Sequence, residues 1–221
     1  MKTDDLNQSD FEMLDFCLKL KLSGKLGKFV FYQMNGKTHV RRAPGKQDPA
    51  NFTEKQLNNR KRFPAMVGHA RNLRKTIIEP IWDRAARQKK ISGYGLFLKI
   101  NNPAFDATGQ VPDPTLLHFS EGSLLLPNEL TATADLDNPS LVSVKWHYND
   151  QWADAPYQDD CLMCVTYPGE SIEVINTGFI RKDGMATIKL TPSEEKELYL
   201  YLFFWDRHKR SYSPDKAFKI R

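Results

Sequence analysis

From Leu198 to Trp205 the chain reads LYLYLFFW, so that Leu198, Leu200, Leu202 and Phe204 fall on one side of an extended strand and Tyr199, Tyr201, Phe203 and Trp205 on the other. A strand that is apolar on both sides needs a cover on both. Three covers are open for the aromatic side: another part of the same chain, a neighbouring subunit, or a carbohydrate-type ligand stacked on the rings. Shorter β-prone runs share this half of the sequence, "LVSVKWHY" from Leu141, "CLMCVTY" from Cys161, "SIEVINTGFI" from Ser171, "MATIKL" from Met185 and "AFKI" from Ala217, each bounded by turn residues.

The period changes upstream. Thr53-Glu54-Lys55-Gln56 is a capping-box pattern that launches a helix, and Phe63, Met66, Ala70, Leu73 and Ile77 recur at three and four as its buried stripe. Pro64 and Pro80 predict a kink or a restart. Arg60, Arg71, Arg74 and Lys75 gather along one flank of the stripe. That flank is either solvated or in contact with phosphates or an acidic protein surface.

Further upstream, Asn35-Gly36 lies between two β-prone runs and predicts a type I′ hairpin. Pairing outward from the turn sets Phe31 opposite Val40 and Tyr32 opposite His39. Phe29, Phe31 and Val40 then share a core face, and Tyr32, His39 and Arg41 an aromatic and basic one, with Arg42 at the strand end. "NNPAFDATGQVPDPT", residues 101–115, has no apolar periodicity and reads as a linker or long loop. The expected organisation is an α+β N-terminal module of hairpin and helices over residues 1–112, followed by an all-β immunoglobulin/fibronectin III-like sandwich over residues 113–221. About seven strands in that span, with Trp146 on an early one, are the pattern of such a sandwich.

Charge divides near the same place. Residues 1–104 hold 21 Lys and Arg against 9 Asp and Glu, net +12, and residues 105–221 hold 11 against 18, net −7. Such asymmetry points to different partners for the two halves, or to attraction between them. Three cysteines, Cys17, Cys161 and Cys164, make no disulfide framework and fit a reducing compartment. The first 22 residues carry four aspartates and a glutamate where a secretory signal has basic residues and then an apolar core. Synthesis in the cytoplasm without a secretion signal is expected, with incorporation into a particle left open. No apolar run approaches the roughly 18 residues of a membrane span.

Reaction chemistry is thin. Gly24 and Gly27 are too close for a P-loop and precede a strand, so they read as a bend into the hairpin. Cys161 and Cys164 have CxxC spacing, but in a strand they face opposite sides and no second pair follows. His39, His69, His118, His147 and His208 are scattered. Asp159-Asp160 and Glu194-Glu195 adjoin turns and read as solvated loop charges, and no serine sits in a nucleophile elbow. No catalytic residue, metal or cofactor is expected.

The blocks "GKLGKFVFYQMNGKTHVRRAP", "TEKQLNNRKRF" and "LHFSEGSLLLP" resemble the signature of a bacterial family of uncharacterised function. Its members open with a Gly-Lys-Val-Gly-Asn type hairpin ending in Val-Arg, continue with Thr-x-x-Gln-Leu-x-x-Arg-x-x-Phe, and enter the second half with Ser-x-Gly-x-Leu. This chain departs from the pattern at Lys28, where Asn is usual, and at Pro64, where a helix former is usual. A looser similarity of the first two blocks is to phage particle proteins. The resemblance supports the segmentation and implies no activity.

Three function classes follow. The leading one is a non-catalytic structural or adaptor subunit of a larger assembly, a phage-like particle or injection apparatus, whose partners are other protein subunits including further copies of itself. The second is a nucleic-acid-binding protein that uses the basic half. The third is a carbohydrate-binding module using Tyr199, Tyr201 and Trp205.

Overall fold

The computed structural model describes Glu12, Phe16, Lys19, Lys21 and residues 23–34, 36–45, 48–87, 89–138, 140–148, 160–168, 172, 174–191, 197–206, 208 and 210–221. Contacts divide the chain into two units, Met1–Phe52 and Thr53–Arg221. Residues 53–112 and 113–221, expected in separate modules, therefore share one unit.

In the first unit, β1 (Gly24–Leu26), β2 (Phe29–Met34) and β3 (Lys37–Arg42) form an antiparallel sheet in that order. The register is the expected one, Phe31 opposite Val40 and Tyr32 opposite His39. Phe29 and Phe31 are buried. Gly36 turns the β2–β3 hairpin at φ +73°, while Asn35 lies outside the described residues. Gly27, at φ +56°, makes a second hairpin that the sequence pattern did not announce, because β1 is only three residues long.

The second unit opens on the predicted capping box: the Thr53 hydroxyl accepts the Gln56 amide, and the Gln56 side chain accepts the Thr53 amide. Helix α1 (Glu54–Asn72) runs through Pro64 without a break, so the helix does not restart there. At Pro80 the helix changes type. Arg74–Trp82 is π-helical, and the Leu73 carbonyl accepts from both Ile77 and Ile78. The wider turn relieves the clash that a proline ring makes with the carbonyl four residues back. It leads directly into α2 (Asp83–Ala86), and Ser92 then caps α3 (Gly93–Asn101).

Among the described residues eight strands follow in two antiparallel sheets. One has the order β4 (Asn128–Ala134), β5 (Leu141–His147), β8 (Met185–Lys189). The other has β7 (Ile175–Ile180), β6 (Cys161–Tyr167) and β9 (Tyr199–Asp206), with β9 pairing onward to β10 (Ser211–Tyr212) and β11 (Lys216–Lys219). The strands foreseen at Leu141, Cys161, Met185, Glu197 and Ala217 are present, the run from Ser171 becomes a strand only at Ile175, and β4 and β10 went unpredicted.

Three layers result. Leu200, Leu202 and Phe204 of β9 face the β4–β5–β8 sheet, where Val142, Val144 and Trp146 meet them. Tyr199, Tyr201 and Phe203 face the helices, against Met66, Ile77, Trp82 and Phe97. The aromatic side of β9 is therefore covered from within the chain. Each such ring contributes about 1.5–3 kcal/mol when taken out of water, enough to hold the helices on the sheet.

The expected linker at 101–115 is part of this core. Ala104 and Phe105 are buried, and the Pro114 carbonyl accepts the Tyr201 hydroxyl. Five residues on, the Phe119 carbonyl accepts the Trp82 indole N–H at 3.0 Å. The stretch sews helices to sheet, which is why no separate module begins at residue 113.

Candidate functional site

The hairpin unit carries three exposed candidates, Tyr32, Arg41 and Arg42. Cross-strand pairing brings Tyr32 and His39 together, and their rings stack with centroids 5.4 Å apart and planes 20° from parallel. Arg41, opposite Val30, projects from the same face, as does Lys25 of β1. Arg42 is opposite Phe29 and so belongs to the other face. Tyr32 is 36% exposed, and Arg41 is exposed. A planar stacked pair beside two cations can pack against apolar or aromatic side chains and meet carboxylates at its margin.

The helix flank is exposed as a line more than as a patch. Arg60 and Arg71 lie on one side of α1, about 16 Å apart along its axis at 1.5 Å per residue. Arg74 and Lys75 continue onto the π-helical turn. Arg74 pairs with Glu79 at 3.1 Å, and Arg71 and Arg74 line a cleft of about 450 Å³ together with Glu79 and Asp83. Two carboxylates thus share the cleft with the two arginines. Phe63, expected at the head of the buried stripe, is instead 54% exposed, and burial begins one turn later at Met66.

The third group, Tyr199, Tyr201, Phe203 and Trp205, sits in the helix–sheet core or against it. Tyr201 and Phe203 have no exposed surface. They present no ring on which a sugar could stack. Burial drives the Tyr201 hydroxyl well above the ordinary tyrosine range.

Cys161 and Cys164 face opposite layers, Cys161 the helices and Cys164 the inter-sheet core. Both are buried, and burial pushes Cys164 up to about 12, so it is held as an unreactive thiol. His69 lies among the rings of Phe97, Phe105, Phe119 and Tyr167, and burial lowers its pKa.

Two polar constellations escaped the sequence reading. The first joins residues far apart in sequence. Asp215, buried, accepts the Phe119 amide at 2.6 Å and pairs with His118 Nδ1 at 2.8 Å, while Asn101 bonds both the amide and the carbonyl of His118. Asp215 reaches this position because the last strand is broken at Ser213-Pro214. The Ser213 hydroxyl accepts the Phe204 amide, and the chain turns inward before β11. Asp215 raises the His118 pKa by hydrogen bond and charge against a smaller opposing effect of burial. The arrangement clasps the 117–119 segment to the sheet.

The second is a buried ion pair. Asp160, expected in a solvated loop, is 2% exposed, and its carboxylate accepts from Arg181 Nε at 3.3 Å. Asp159 and Glu194-Glu195 lie outside the described residues. Among the described residues no helix is long and apolar enough to cross a membrane, and no group of three or more His, Cys, Asp or Glu is gathered as a metal ion would need. No protein-family model matches the chain, and no curated protein matches it.

Proposed function

We propose that the chain is a non-catalytic structural or adaptor subunit of a larger assembly, and that it meets neighbouring protein subunits through the Tyr32–His39–Arg41 face of its hairpin unit. The observation that carries this reading is the Tyr32–His39 stack held half in water beside Arg41 on a sheet that forms its own unit. Stacked aromatics flanked by arginine are what protein interfaces concentrate at their centres. The block resemblance to phage particle proteins points the same way. The polar groups of the body act as internal fastenings, His118 with Asp215 and Arg181 with Asp160, which accords with a subunit that is built to hold shape.

We infer further that the two sheets form an immunoglobulin/fibronectin III-like sandwich. Lettered in chain order as A, B, C, C′, E, F and G, strands β4, β5 and β8 become A-B-E, and β7, β6, β9 and β11 become C′-C-F-G. Such folds recur as connecting modules, although the fold alone assigns no role.

Light scattering from dilute to concentrated protein tests the reading. Association above the single-chain mass of 25.5 kDa is expected, and Tyr32→Ser should weaken it while leaving the thermal midpoint in place. A single-chain mass at every concentration opposes the reading. The exposed Arg60, Arg71 and Lys75 favour nucleic acid as the second reading, and it predicts retention of duplex DNA that falls steeply with salt, by a log-log slope of about −0.9 per phosphate contact.

A further inference from the structure

Between β4 and β5 the chain turns through Asp135-Leu136-Asp137-Asn138, and Leu136 at its tip is 99% exposed. The turn is firmly held. The Asp135 carboxylate accepts the amides of Asp137 and Asn138 at 2.9 Å each, the Asn138 side chain accepts the Ser140 amide at 3.2 Å, and Asp135 and Leu141 are joined through the backbone at 2.9 Å. Nothing in this hydrogen bonding requires a leucine. An apolar side chain held wholly in water, on a turn whose order is already established, is a preorganised anchor, since little conformational entropy is left to lose when it docks. A carboxylate stands on each side of it.

The complementary surface is on the same chain. Phe63 and Pro64 of α1 line a cleft of about 520 Å³ together with Arg60, Arg62, Asn59 and Asn102. Its lining combines two apolar residues with two cations, the complement of an apolar tip with acidic shoulders.

We propose that the Asp135–Asp137 tip of one copy docks into the Phe63–Pro64 cleft of a second copy, Leu136 against Phe63 and Pro64 and the aspartates towards Arg60 and Arg62. The proposal rests on the reading of the chain as an assembly subunit and names its neighbour as a second copy. Tip and cleft are different surfaces, so the contact is head-to-tail. Each copy that receives a tip still offers its own, and the contact propagates into a ring or an open filament and does not stop at a dimer.

Sedimentation velocity on the full chain tests this with two surface variants, Leu136→Ser and Phe63→Ser. Wild-type protein should associate beyond two chains, and each variant alone should associate about tenfold more weakly. Mixed in equal amounts, each also carrying Tyr32→Ser so that the hairpin contact is removed, the two should form a two-chain species and nothing larger, because one variant keeps a whole cleft and the other a whole tip. The charge pair Asp137→Arg and Arg60→Glu should differ in its mixture: each alone weakens association, and together they recover association beyond two chains, because the reversed tip fits the reversed cleft and the native tip the native one.

Variants that associate as wild type does, with Tyr32→Ser dissociating them, overturn this contact and leave the subunit reading standing. A mixture that stays single-chain while wild type associates overturns it as well. Duplex DNA retained by wild type and lost with Arg60→Glu, in protein that stays single-chain, overturns it and gives the cleft to phosphates.

Discussion

Arg181 and Asp160 are paired twice over: the guanidinium Nε lies 3.3 Å from the carboxylate, and the Arg181 amide donates to the Asp160 carbonyl at 2.9 Å. The same guanidinium donates to the Leu125 carbonyl at 2.8 Å and stands 4.3 Å above the Phe204 ring. Arg181 thus ties the start of β6 to the chain entering the sandwich.

Both side chains are out of water, so removing one partner leaves a buried charge without its counterpart. Asp160→Ala should cost about 3–5 kcal/mol. The double variant Asp160→Ala with Arg181→Met should lose less than the single one, since the stranded charge is gone. Urea midpoints at constant slope measure both.

The His118–Asp215 pair predicts a pH dependence. Asp215, with a smaller contribution from Glu121, raises the His118 pKa above its ordinary 6.5, so the folded state binds the proton more tightly than the unfolded one. This stabilisation is complete below about pH 6.5 and is lost as pH rises through the raised value. Buried His69, with its lowered pKa, works in the opposite sense, losing stability as pH falls below 6.5. The component that belongs to His118 is therefore read as the difference between wild type and His118→Asn. That difference should shrink as pH rises from 6 to 8.

Phe203 and Tyr32 should separate core from surface. Phe203→Ser opens a cavity between helices and sheet and leaves a hydroxyl in it, a loss of about 3–5 kcal/mol or more. Tyr32→Ser, at a half-exposed position, should stay within about 1 kcal/mol. Thermal unfolding of the two, side by side, checks the difference.

Two glycines are predicted to be irreplaceable on steric grounds. A Cβ on Gly93 would stand 2.3 Å from the Asp83 amide nitrogen, and one on Gly122 would stand 2.1 Å from the Tyr212 carbonyl oxygen. Gly93→Ala should force α3 away from α2, and Gly122→Ala should part the Gly122 loop from β10. Both should lower the thermal midpoint, whereas Gly68→Ala, with open space around it, should not.

Period and capping made much of the fold legible. The two-faced alternation of β9, the stripe from Met66 to Ile77, the capping box at Thr53 and the register of the β2–β3 hairpin are local patterns, and local hydrogen bonding enforces them. Phe63 misled because the stripe's spacing cannot say where along a helix its cover stops. Pro64 misled because a long helix packed on its apolar face tolerates a proline that an isolated one would not. The His118–Asp215 and Asp160–Arg181 pairs were not legible, since each joins residues 21 or more apart that only the folded sheet brings together. The polar look of residues 101–115 concealed that Ala104 and Phe105 enter the core while the charged residues around them stay outside. Leu136 gave no signal in a single apolar position between aspartates; its exposure marks it, not its identity.

We propose that this chain meets its neighbours through protein contacts made by the β2–β3 face. Hydrogen–deuterium exchange on the full chain, followed from dilute to concentrated protein, tests it most directly. Amides of Phe29–Met34 and Lys37–Arg42 should exchange more slowly as concentration rises, and Tyr32→Ser should abolish the change while the amides of β9 keep their protection throughout. Exchange in β2 and β3 that is the same at every concentration, in wild type and variant alike, would contradict the claim.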